Sequence, residues 1–351
     1  MPEAVLSEIE MRRRKILIFS ILVILLFISF ILDILLGSVS IKPSEIIGAL
    51  FKSPDPGIET IILRFRLPKA FTALAAGVAL SLSGLQMQTL FRNPMAGPYV
   101  LGVSSGASLG VAVVILGFSS RFSPENIQSL GNWALVVSAW IGAGAVMVLI
   151  MFVSSRIRDI MTILILGIML ASGISAVVGI MQYFSDETML KAYVIWTMGS
   201  LGNLSAEQLK VLLATVTAGM ILSLASVKML NALLLGENYA ASVGLNLKLS
   251  RTVIFACTSI LAGSVTAFCG PIGFIGIAVP HIARNLFRTS DHGILVPGTI
   301  ITGGIIMLVS DIISQLPGSA NVLPVNSVTS LIGIPVVIWI ILRNKRETGS
   351  F

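Results

Sequence analysis

The chain has 351 residues, 55% of them hydrophobic and 11% charged, which excludes an ordinary water-soluble domain. A membrane span needs about 20 apolar residues, so the length accommodates about ten spans with short loops, and residues 1–351 read as one transmembrane domain. The net charge of +7 does not point to nucleic acid, because the basic residues stand singly between apolar runs, as membrane-surface anchors do.

In chain order, Arg12, Arg13, Arg14 and Lys15 precede an apolar run over residues 16–36. This predicts a basic cytoplasmic tail over residues 1–15 and a first span. The run is too long for a signal-peptide core, so no secretory signal is expected. Residues 38–64 turn mixed and predict an outer loop holding a short interfacial helix, closed by a turn at residues 54–57. Arg66, Leu67, Pro68 and Lys69 introduce a second span over residues 70–91, whose Ala, Gly and Ser content suits a helix buried among other helices.

Residues 92–110, RNPMAGPYVLGVSSGASLG, interrupt the apolar pattern. Pro94 and Pro98 cannot donate backbone hydrogen bonds, so a helix ending near Phe91 cannot pass through them. A helix restarting near Tyr99 carries Gly102, Gly106 and Gly110 four residues apart, a face that another backbone can approach closely. An ordinary connection between packed helices accounts for the stretch equally well.

The third span is predicted over residues 99–117, then a polar outer loop to Asn132, a fourth span to Val153 and a charged inner loop at 154–159. The fifth covers residues 161–184. Residues 186–201 are amphipathic, too short and too charged to cross, and are placed in the outer interface. The sixth span covers 206–227, and residues 228–251 form the longest inner connection. Spans seven to ten fall near 252–270, 272–287, 294–313 and 326–342, before a basic tail that leaves both termini cytoplasmic. With this topology 15 of the 23 basic residues lie inside and 8 outside, as the positive-inside rule requires. The outer cluster Arg64, Arg66 and Lys69 is the exception and calls for something negative nearby. Ala76-Gly77 with Gly84 is echoed by Ala262-Gly263 with Gly270 on spans of opposite direction, a weak sign of an inverted repeat.

No Gly-Lys dipeptide occurs, so a phosphate loop of the GxxxxGK[ST] type is absent. No metal-ligand or nucleophile grouping occurs either, and neither a cofactor nor an enzymatic activity is expected. Cys257 and Cys269 lie about 18 Å apart along one predicted helix, too far to bridge. His292 reads as a solvated turn residue and His281 as a structural hydrogen-bonding one. Asp33 and Asp311 are the main ionisable residues inside spans, both near outer ends. Their scarcity argues against an ion-coupled carrier, which usually needs such groups near the midplane. LLLGENYAASVGLN, residues 233–246, predicts a short inner-face helix bracketed by Gly236 and Gly244. It is either an ordinary loop helix or a docking surface for a cytoplasmic partner.

RLPKAFTALAAGVALSLSGLQMQ, RNPMAGPYVLGVSSGASLG, WTMGSL, LLLGENYAASVGL, GPIGFIGIAVPHIAR, SDHG and LPVNSVTSLIGIP together resemble the permease subunits of ABC importers for ferric siderophores, haem and cobalamin. The resemblance covers most of the chain from Arg66 to Arg343. It implies an all-α, polytopic fold of about ten spans, the BtuC-like permease fold, and a homodimer around a central, weakly polar pathway. It also implies two cytoplasmic ATPase subunits, an extracytoplasmic substrate-binding protein and surrounding lipid. By resemblance, ATPase coupling falls on Leu235, Gly236, Glu237, Ala240 and Gly244, the inner gate on Met161 and Thr162, and binding-protein docking on Arg66 and Lys69. The chain departs from the family pattern at Gly97, where an acidic residue is common, at Gln315, where a basic one is, and at Asn326, often Gly. The change at Gln315 puts one salt bridge to the binding protein in doubt. The function implied is import of an iron chelate, a ferric siderophore before haem or cobalamin. An ion-coupled secondary carrier and a membrane scaffold without transport are the alternatives.

Overall fold

The computed structural model describes residues 3–37, 41, 56–117, 124–157, 159–316 and 321–348. Among them every regular element is a helix: α1 (Glu3–Leu35), α2 (Leu67–Leu90), α3 (Val103–Ile115), α4 (Pro124–Arg156), α5 (Ile160–Tyr183), α6 (Glu187–Thr197), α7 (Ala206–Ala225), α8 (Val227–Leu234), α9 (Glu237–Ser242), α10 (Leu247–Cys269), α11 (Ile275–Phe287), α12 (His292–Ser314) and α13 (Val325–Thr348). Seven helical stretches among the described residues are long and apolar enough to cross a membrane. The expected ten are reached only by adding α3, α11 and α13. The first two have 13 residues each and rise about 20 Å, less than a hydrocarbon core of about 30 Å.

The most apolar window of the second span is 89% buried, against 17% for that of α1. The difference follows from composition. Small side chains on α2 let neighbouring backbones approach, while α1 presents Ile16, Leu17, Ile24 and Phe27 outward, a surface suited to lipid. A Cβ added to Gly77 would stand 2.2 Å from the Gly303 carbonyl oxygen of α12, and one on Gly84 1.7 Å from that of Gly276 in α11. Only glycine allows these two crossings.

Several boundaries differ from the sequence reading. Residues 3–15 continue α1 as helix rather than forming a tail. The interfacial helix expected near residues 46–51 lies outside the described residues. Pro56–Thr60 is already helical where a turn was expected, since proline suits a first helical turn. It runs through a π-helical stretch, Ile61–Arg66, into α2, with the Leu67 amide reaching back to the Ile62 carbonyl. This wider turn lies just before Pro68, which has no amide to donate. Part of the polar outer loop before span four is also helical, because α4 starts at Pro124.

The break after α2 is where the prolines put it. Arg92 adopts φ 46°, Pro98–Leu101 is a 3-10 turn, and Gly102 at φ 77° redirects the chain into α3. A matching break separates α10 from α11, with Gly270 at φ 75° and Phe274 at φ 66°. Each long helix is thus followed by a break and a 13-residue helix. The neighbours match as well: α2 packs on α12 as α10 packs on α4, and α3 on α4 as α11 on α12. The glycine echo follows only loosely, since Gly77 presses on the α12 backbone whereas Gly263 merely faces Ala143 of α4 at 3.8 Å. Gly84 lies within α2, while Gly270 ends α10.

Candidate functional site

The connection expected on the inner face folds as two short helices, α8 and α9. Gly236, at φ 104°, starts α9, and Gly244, at φ 89°, ends it, both conformations that strain a residue with a side chain. The end is a Schellman motif, with the Leu245 amide donating to the Ala240 carbonyl at 2.9 Å and the Gly244 amide to that of Ala241 at 3.0 Å. This geometry turns Leu235, Tyr239 and Val243 outward, with 64%, 50% and 58% of their surfaces exposed. Three exposed apolar side chains within nine residues are the kind of surface a partner covers.

Ala240 does not belong to that set. It is 0% exposed and faces the chain's own interior, so the expected contact of Ala240 with a partner is corrected. Glu237 is also committed within the chain. Its carboxylate accepts from Arg251 Nη2 at 2.6 and 2.7 Å and from Nε at 3.1 Å. Arg251, buried near the start of α10, extends Nη1 to the Ile157 carbonyl at 3.3 Å, in the connection before α5.

The start of α5 holds the expected gate residues. Asp159 caps it, accepting from the Met161 amide at 3.3 Å, the Thr162 amide at 2.9 Å and the Thr162 hydroxyl at 2.5 Å. Hydrogen bonds from the Thr162 hydroxyl, then from the Thr162 and Met161 amides, hold this carboxyl below its usual range, with Arg251 adding attraction. The Met161 side chain is exposed. A cavity of about 370 Å³ runs between the two motifs, lined by Arg92, Ile160, Leu235, Gly236 and Tyr239. Leu235 and Ile160, 75 residues apart in sequence, are thus neighbours in space.

His292 is not solvated as expected. It is 0% exposed, its Nδ1 donates to Asn231 Oδ1 at 2.8 Å, and its Nε2 lies 2.8 Å from the Thr89 hydroxyl oxygen. Asn231 donates in turn to Asp291 at 2.7 Å, which ties α8 to the first turn of α12. Bonds from the Gly293 amide and then Asn231 lower the Asp291 pKa. His281 Nε2 donates to the Pro94 carbonyl at 2.8 Å and Arg284 donates to Gln88, so α11 holds the inner break of α2 in place.

At the opposite end of the bundle, expected to be the outer one, Arg66 and Lys69 turn inward rather than forming an open docking patch. Arg66 is buried and donates to the carbonyls of Ile34 and Leu35 at 2.8 and 2.9 Å, satisfying acceptors at the end of α1. Lys69 meets Asp311 at 3.0 Å. Gln315, also buried, donates to Asp311 at 3.0 Å and to Asp33 at 3.3 Å. The acidic partner of Lys69 is therefore Asp311, and Gln315 bridges it to the carboxyl group of Asp33. Asn326 accepts from the Gly273 amide at 2.9 Å and steadies the break before α11. Gly97 sits where a Cβ would lie 3.1 Å from Ile277, leaving little room for an acidic side chain.

Gly106 and Gly110 face α4, where an added Cβ would come within 2.5 Å of the Gly142 carbonyl oxygen and 2.0 Å of that of Ser138. Gly102 serves the turn instead. A groove of about 320 Å³ between α3, α5 and α6 is lined by Ser104, Ser105, Ser108, Ser175, Gln182 and Thr197, with no charged residue among those lining it. Sequence reasoning gave no position for this groove, although the i, i+4 spacing of Ser104 and Ser108 was a usable sign.

The chain matches the FecCD transport family over residues 24–343. It is 35% identical to the hemin transport system permease protein HmuU of Yersinia pestis over 83% of this chain and 85% of that one. It is 33% identical to the vitamin B12 import system permease protein BtuC of Citrobacter koseri, over 96% and 97% of the two chains. Among solved structures, a metal-chelate type ABC transporter in an inward-facing conformation superposes with a TM-score of 0.80 at 28% identity, covering 93% of this chain and 99% of that one. PsaBC from Streptococcus pneumoniae shares the fold at a TM-score of 0.51 and 12% identity. The break-and-short-helix pattern and the match over nearly the whole chain agree, and the chain belongs to the FecCD transport family, as a multi-pass membrane permease of the ABC importer type.

Proposed function

We propose that this permease carries an iron chelate inward, a ferric siderophore in the first instance and haem or cobalamin as the other members of the class. It works as a homodimer, with an ATP-hydrolysing subunit on each inner face and a substrate-binding protein outside. Both termini are cytoplasmic, and hydrolysis belongs to the separate ATPase chain. The observation that carries this reading is the exposed set Leu235, Tyr239 and Val243, of which Leu235 and Tyr239 share a cavity with Ile160, the residue before Met161 and Thr162, on a chain whose sequence has no phosphate loop. Energy from ATP must then enter through protein contact. The uncharged, hydroxyl-rich groove suits a bulky chelate that has to pass without being held. On the outer face Arg66 and Lys69 act from beneath, fixing the surface on which the binding protein rests.

The test is uptake into vesicles holding the permease and its ATPase, supplied outside with a binding protein loaded with ferric siderophore, haem or cobalamin. ATP-dependent accumulation of one of these supports the reading. Uptake that persists without the ATPase and collapses with the ion gradient would overturn it in favour of a secondary carrier.

A further inference from the structure

The Glu237–Arg251 contact joins two segments whose roles are otherwise described separately. Glu237 is the first residue of α9, the partner-facing helix of the reading above. Arg251 lies in the first turns of α10 and is buried, yet its guanidinium is divided between two elements. Nε and Nη2 hold the Glu237 carboxylate, and Nη1 holds the backbone carbonyl of Ile157. Two residues after Ile157, Asp159 caps the gate helix α5. Asp159 is kept in its charged form by hydrogen bonds from Thr162 and Met161, and Arg251 adds to the field that favours that form. The planar fork of an arginine can satisfy a carboxylate and a carbonyl at once, which a lysine ammonium on a single stem does poorly.

We propose that Arg251 is a positioning residue that links the ATPase-facing helix α9 to the start of the gate helix α5, so that displacement of α9 is delivered to Met161 and Thr162. This deepens the coupling reading and rests on it. An ion pair serving stability alone would need only Glu237. The additional hold on Ile157 is what makes Arg251 a connection between two moving parts.

The experiment uses the full chain in lipid vesicles with its ATPase and binding protein. The variants are Arg251→Lys and the double variant Glu237→Met with Arg251→Met. The double variant removes both charges together, so it leaves no uncompensated buried ion. Each is expected to fold and to retain ATPase association, while substrate imported per ATP hydrolysed falls about tenfold or more, within the usual range of a coupling between sites. A second readout needs no partner: spin labels at Asn238→Cys and Met161→Cys should give one narrow distance distribution in the parent chain and a broadened one in both variants. Wild-type coupling in Arg251→Lys, or restored coupling in the double variant, would overturn the proposal, as would an unchanged distance distribution. If the parent chain recruits no ATPase, the coupling reading itself fails, and the label distances still decide whether Arg251 holds the two helices together.

Discussion

Lys69 Nζ stands 3.0 Å from Asp311 Oδ1, across an interface where the aspartate side chain is 1% exposed and the lysine 20%. This contact joins α2 to α12 at one end of the bundle. Removing Lys69 alone leaves a buried carboxylate with less compensation. Lys69→Met should therefore lower stability by about 3–5 kcal/mol, the usual penalty for breaking a buried pair. Lys69→Met with Asp311→Leu should recover most of that loss. Thermal unfolding of the detergent-solubilised chain checks both, and equal stability of Lys69→Met and the parent would show that the pair carries no weight.

Ala240 and Tyr239 are adjacent in sequence and point opposite ways. Ala240→Trp should overpack the interior at a cost of about 1–3 kcal/mol and reduce the yield of folded protein. Tyr239→Ala with Leu235→Ala should leave the unfolding temperature unchanged and weaken ATPase association. Co-purification of the ATPase, read beside the thermal melt of each variant, separates the two effects. A double variant that binds the ATPase at full strength would place the docking surface elsewhere.

Glycine is required at some positions and not at others. Gly110→Ala would bring a Cβ within 2.0 Å of the Ser138 carbonyl oxygen, forcing α3 from α4. A loss of about 1–3 kcal/mol is expected, as for other overpacked interiors. Gly144 has nothing within 4 Å of the same added atom. Gly144→Ala should be neutral or stabilising by up to about 1 kcal/mol through helix propensity. Equal melting temperatures for the two variants would contradict the close packing described for α3 and α4.

The Asp159 cap should make the start of α5 sensitive to acid. Its pKa lies below the ordinary 3.8, so its contribution is fully present above that value and is lost as pH falls through the lower folded-state pKa. Amide hydrogen exchange at Thr162, corrected for the intrinsic pH dependence, should be slow above the ordinary value and accelerate only below it. In Asp159→Ala it should be fast throughout. Protection of Thr162 that does not change across this range would show that the carboxylate is not the cap that holds the start of α5.

Much of the fold was legible because span positions depend on local quantities. An apolar run of sufficient length must satisfy its backbone internally, and prolines such as Pro94 and Pro98 end a helix wherever they stand. The short helix between Gly236 and Gly244 was legible for the same reason, since two glycines mark its ends. Helix starts were less so: the run into α2 from Pro56 was hidden because a π-helical turn before Pro68 has no strong sequence mark.

The charged and small residues of the candidate site were legible as residues but not as contacts. Arg66 and Lys69 break the charge bias, which called for negative partners. Lys69 finds its partner in Asp311 on another helix, and Arg66 finds the carbonyls at the end of α1. Ala240 looked like a docking contact because it is small, yet small residues serve equally well beneath a helix as on top of it. The sequence by itself determined which long apolar stretches become helices, where the chain breaks after α2 and that it carries no nucleotide loop, since each depends on residues close along the chain. Only the tertiary structure decided that Lys69 faces Asp311, that His292 is enclosed between Thr89 and Asn231, and that Arg251 spans Glu237 and Ile157. The burial of a polar group is favourable only when a partner from a distant segment arrives at hydrogen-bonding distance, and that depends on how the helices pack.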